Sequence, residues 1–237
     1  MLGGIMIRHG NFFLTTFILG IILLQVCVTG IPAHAERVWD AELNRYLTPE
    51  EMGQEDVYLS EEEAAKLMFP RSDRIRHEQL SLTSAQKQMI ENSIGWSFQE
   101  TTFECYIGET NEKIDGWALI QHTIGKHKPI TYMVGVDPQG EVSNVEVLVY
   151  RESRGSEVRT KRFNYQYEGK TQFDPIRINR DIINISGATM SVRSMSAGVK
   201  RALVLVNELY RKPLGLETKS LIAGKSEKGF FESLLGL

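Results

Sequence analysis

The four residues best placed to do chemistry in this 237-residue chain are Ser186, Gly187, Ala188 and Thr189, which lead into an amphipathic segment. Ser, Gly and Ala in succession make a tight turn with almost no side-chain bulk, so a molecule outside the chain can approach the backbone closely. Beyond the turn, Met195, Val199, Leu203, Val206 and Tyr210 fall on one stripe, which predicts a helix from about Ser194 to Arg211. A helix start exposes unpaired N–H groups and the positive end of the macrodipole, and both favour a phosphate. The same residues also suit a plain cap, with Thr189 or a nearby Ser supplying the capping oxygen. Arg151, Arg154, Arg159, Lys161, Arg162, Arg177, Arg180 and Arg193 gather around this stretch in sequence. Arg binds phosphate through charge-assisted hydrogen bonds, while solvation or pairing with Glu152, Glu157 and Asp174 accounts as readily for most of the eight.

Other chemistries lack their residues. No Ser-His-Asp or Cys-His arrangement has a recognisable context, and neither a Gly-rich dinucleotide fingerprint nor a His-Glu-x-x-His motif occurs. Two Cys and five His speak against haem, an iron–sulfur cluster or a zinc site. A formal charge of −3 argues against a nucleic-acid partner.

The elements that must position the turn follow from patterning. Residues 1–35 read as a secretory signal: Arg8 and His9, an apolar core from Phe12 to Val28, and a small-residue cleavage site at Ala33-His34-Ala35. The apolar run is at the short limit for a membrane span, so an uncleaved anchor is the alternative. Cleavage would leave 202 residues, a charge of −4 and Cys105 as the one remaining Cys, hence no intramolecular disulfide. Residues 36–100 read as a charged, helix-prone N-terminal extension. In it Ser60 and Glu63 form a capping box, and Thr83 or Ser84 caps a second helix that stops at Gly95. Pro70 and the charged segment Arg71 to Glu78 separate the two helices.

From Thr101 the pattern turns to strands: Phe103 to Ile107, Trp117 to Ile124, Ile130 to Val136 and Glu141 to Tyr150, with a hairpin turn at Asp137 to Gly140. Val145, Val147 and Val149 should share one face of the last strand. Sequential antiparallel strands and then a long helix indicate an α+β domain over 101–212, followed by an amphipathic tail at 213–237.

Ser186 to Thr189 resembles the flavinylation motif of the FMN-binding domain family, which includes the flavin-carrying subunits of the sodium-pumping NADH:quinone reductase and of the Rnf complex. The resemblance extends upstream to Gly125-Lys126-His127-Lys128-Pro129-Ile130, to Val145–Glu157 with its Glu152-x-x-Gly155 turn, and to Phe163–Thr171. It implies that Thr189 carries FMN through a phosphoester bond installed by a separate flavin transferase. It further implies cofactor contacts from Ser186, Gly187, Ala188, Glu152, Arg154, Gly155, Arg193 and His127. Trp117, Tyr132 and Tyr165 are aromatic candidates for the flavin ring, although strand aromatics are usually core. One position departs from the family pattern: the Asp expected six residues before the modified Thr is Ile183 here, and the nearest acid is Asp181.

The implied function is an exported electron carrier between membrane-bound redox proteins and an extracytoplasmic acceptor, more an electron-transfer protein than a stand-alone enzyme. A periplasmic flavin-dependent reductase, and an unmodified binding or assembly module of the same fold, are the alternatives.

Overall fold

The computed structural model describes residues 39–40, 43–48, 51, 55–152 and 155–216. The expected signal segment, Arg154 and nearly all of the C-terminal tail lie outside the described residues. In chain order, β1 (Trp39–Asp40) and β2 (Arg45–Tyr46) pair as a small ribbon, and β3 (Asp56–Val57) leads to α1 (Glu61–Met68). Then come β4 (Arg74–Ser81), α2 (Ser84–Ile94), β5 (Thr102–Thr110), β6 (Lys113–Ile124), β7 (Pro129–Val136) and β8 (Val142–Tyr150). Short helical turns follow, and the last long element is α3 (Thr189–Val206). The fold is α+β, as expected: six antiparallel strands in the order β3-β8-β7-β6-β5-β4.

Local signals place the early helices. The Ser60 hydroxyl accepts the Glu63 amide while the Glu63 carboxylate accepts the Ser60 amide, a complete capping box on α1. Thr83 and Gln86 do the same for α2, and Gly95 ends it in the left-handed conformation at φ 83°. The charged connector between them corrects the sequence reading, because Arg74–Ser81 is the edge strand of the main sheet, paired along its length with β5. Only Ile75 and Leu80 in it are strongly apolar, and they pack against opposite faces of the sheet. An edge strand bonded on one side needs little more.

Two apolar layers flank the sheet. On one face Trp117, Leu119, Tyr132, Val134, Val145 and Val147 pack with Val192, Met195, Val199 and Leu203 of α3. On the other, Ala118, Ile120, Met133 and Leu148 meet Ala64, Ala65 and Met68 of α1. The expected face for Val149 is corrected. The β7–β8 register shifts between Thr131 and Tyr132, and beyond this bulge Val149 packs with the α1 layer while Tyr150 joins the α3 layer.

Gly198 lets α3 lie close to β7: a Cβ there would stand 1.8 Å from the Tyr132 hydroxyl. That hydroxyl donates to the Met195 carbonyl at 3.2 Å. Gly198→Ala is expected to lose stability by about 1–3 kcal/mol, the usual scale of overpacking, read as a lower urea midpoint at unchanged slope.

Candidate functional site

Helix α3 begins at Thr189 itself, five residues before the predicted start. The turn ahead of it closes when the Ala188 amide bonds the Ile185 carbonyl at 3.0 Å, with Gly187 at φ 81°. Gly is suited to that third turn position because a side chain there is strained. Ala188 is the N-cap and no side chain caps the helix, so the alternative of a Thr or Ser cap is not what the structure shows. The half-buried Thr189 is therefore free of capping, and its Oγ1 accepts a hydrogen bond from Asn184 Nδ2 at 2.8 Å. Ser186 and Gly187 are exposed.

Two of the upstream stretches singled out in the sequence meet behind this turn. Gly155, at φ 86°, lies so close that a Cβ on it would come within 2.6 Å of the Ala188 Cβ and 3.0 Å of the Tyr150 hydroxyl. The Glu152 carboxylate accepts the amides of His127 at 2.5 Å and Lys128 at 3.0 Å. A Cβ on Gly125 would lie 2.8 Å from that carboxylate and 3.2 Å from Ser191 Oγ on the first turn of α3. Glu152 thus locks the 125–128 turn against the helix start, and His127 contributes its backbone to that lock.

On the other side of Thr189 lies a cavity of about 820 Å³. One α3 face forms a wall: Thr189, Arg193, Ser196, Ala197 and Lys200, at the spacing of one helical stripe. The end of α2 contributes Ser93, Ile94 and Trp96, and the loop 173–180 closes the rest. Arg177, Arg180, Arg193 and Lys200 bring positive charge, against Asp174 as the one acid among the described lining residues. Lys200 donates to the backbone carbonyls of Asp174, at 2.7 Å, and Gln172. Burial pushes its pKa down, with Asp174 opposing.

The aromatic candidates do not gather here. Trp117 and Tyr132 are buried in the α3 layer. Exposed Tyr165 lines a different cavity, beside Met68 to Ser72. The rings on the Thr189 cavity are Trp96 and Phe173. Trp96 follows a helix stop with no pattern around it, so no sequence signal pointed to it. Behind it the buried Arg201 guanidinium stands 5.7 Å from the ring centroid, and is itself held by Gln121 at 2.8 Å and Glu100 at 3.2 Å.

Asp181 is committed elsewhere, accepting the amides of Ile176 at 3.0 Å and Arg177 at 2.8 Å and pairing with Lys170 at 3.2 Å. Burial opposes its charge, but those amides and the Lys170 ammonium outweigh it and hold the carboxyl below the usual carboxylate range. Ile183 turns its side chain outward, 77 % exposed, while its amide donates to Gln166.

Comparison with known protein families gives a match to the FMN-binding domain over residues 125–204. A search of curated proteins finds no match. Among solved structures, NqrC of Shewanella oneidensis is similar at a TM-score of 0.45 and 13% sequence identity, over 64% of this chain and 88% of that one. The matched segment holds the 125–128 turn, the Glu152–Gly155 turn, the Thr189 turn and nearly all of α3, so this part of the chain is similar to the FMN-binding domain family.

Proposed function

We propose that this protein carries FMN covalently, through its phosphate, on Thr189, and that it is an exported electron carrier. The observation that carries the reading is an uncapped Thr hydroxyl at a helix start, on the wall of a cavity rich in cations. The residues fit the group. The first-turn amides of α3 and the Arg193 guanidinium favour a phosphodiester. The eleven residue-to-residue steps of helix from Thr189 to Lys200 rise about 16 Å, comparable to the length of an extended FMN. The cavity volume lies in the usual range for a bound cofactor, and Trp96 and Phe173 offer faces for stacking. Bound flavin supplies one- and two-electron chemistry, which the chain orients and tunes.

Export rests on the character of residues 1–35; no helix among the described residues is long and apolar enough to cross a membrane. Outside the cytoplasm a dissociable cofactor is lost by dilution, and an ester to the chain removes that loss. A flavin transferase would install the group, and membrane-bound redox proteins would supply the electrons. Ile183, outward where the family pattern has an acid, favours the unmodified module as a second reading.

The two part cleanly. After coexpression with an active flavin transferase, mass spectrometry of the exported protein is expected to find FMN on the peptide bearing Thr189. A bare peptide would sink the flavin-carrier reading. Saturable, substrate-specific turnover by the reduced protein would make it a reductase instead.

A further inference from the structure

We propose that Asn184 is the positioning residue for Thr189, an inference that rests on the flavin-carrying reading: its carboxamide holds the hydroxyl before transfer and the ester oxygen after it. The contact is direct, 2.8 Å from Nδ2 to Oγ1. Asn184 also lines the cavity that Thr189 borders. Its Oδ1 is buried with no partner among the described residues. A carboxamide half-satisfied in this way is costly, so its place beside Thr189 is not explained by its own hydrogen bonding.

The chemistry accounts for an amide here. Thr has two accessible rotamers in a helix, and Thr189 has no capping bond to choose between them. The Asn184 donor chooses one, and so fixes where Oγ1 presents itself. In the transfer step the Oγ1–phosphorus bond forms as the phosphoanhydride of a flavin adenine dinucleotide breaks. AMP leaves, and the hydroxyl proton passes to a base on the transferase. A neutral carboxamide is no base, so Asn184 aims the nucleophile without deprotonating it. After transfer the ester oxygen can only accept, and the Nδ2–H still donates to it. A carboxylate at position 184 would have no hydrogen to give and would face the phosphodiester charge. The outward Ile183 leaves Asn184 as the neighbouring polar group that reaches Thr189.

The test uses the protein with and without flavin. In flavin-free protein, side-chain three-bond couplings of Thr189 should report one rotamer, an average of rotamers in Asn184→Ala, and one rotamer again in Asn184→Asp, which can accept the hydroxyl proton. With purified transferase, Asn184→Ala should slow single-turnover loading by roughly tenfold or more, the scale of a lost attack geometry. Asn184→Asp, despite its ordered Thr189, should load poorly, and its loaded fraction should show a displaced phosphodiester ³¹P resonance. Circular dichroism checks that α3 is intact. A single rotamer with wild-type loading in Asn184→Ala would overturn the proposal. Wild-type protein that stays bare beside an active transferase would overturn the flavin reading instead, and the rotamer measurement still judges Asn184 separately.

Discussion

Thr189→Ala is expected to abolish covalent flavin completely while leaving a folded protein. The effect on loading is all-or-none, because no ester can form without the oxygen. The effect on stability should be small, since the hydroxyl caps nothing and its hydrogen bond among the described residues is the one from Asn184. Losing that bond costs about 1 kcal/mol, and the better helix propensity of Ala returns a few tenths of that. In-gel fluorescence after denaturation reads the first quantity and a urea titration the second. Thr189→Ser should still load, more slowly, because the hydroxyl remains and its rotamers multiply. Fluorescence persisting on the Ala variant would show that another residue is the attachment point.

Gly155→Ala should have the second-largest effect, by a different route. The position combines φ 86° with a Cβ-to-Cβ approach of 2.6 Å to Ala188. Left-handed backbone strain for a non-Gly residue costs about 1–3 kcal/mol, and the clash adds about 1–3 kcal/mol of overpacking. Ala188 is the N-cap of α3, so its displacement moves Thr189, and loading should fall together with stability. Gly169→Ala is the control, since it has a similar φ of 72° and nothing within 4 Å of a Cβ. It should show strain alone, and a Gly155 variant no worse than it in urea would refute the packing argument.

These outcomes turn on contacts between stretches far apart in the chain, and that is where reading the sequence stopped. The caps at Ser60 and Thr83, the stop at Gly95, and the four strands from β5 to β8 with their turns were legible. Each depends on residues within a few positions of one another. The strand Arg74–Ser81 was not legible, because its apolar residues are too few to show a period and its partner β5 supplies the order. The start of α3 was misplaced for a related reason. Between Thr189 and Arg193, Val192 alone extends the buried stripe, and the helix begins there because the Gly187 turn delivers the backbone into helical dihedrals against Gly155.

The sequence by itself determined the α+β class and the small-residue turn with its hydroxyl. It also named the two segments that converge behind that turn, because their signals are local: periodicity, capping and motif spacing. Only the tertiary structure decided which side chains share space with Thr189. It put Trp96, Lys200 and Asn184 around one cavity, occupied Asp181 with backbone amides, and sent Trp117 and Tyr132 into the core. Such neighbourhoods are set by the packing of α3 and α2 on the sheet, where the distance between residues in space is unrelated to their distance along the chain.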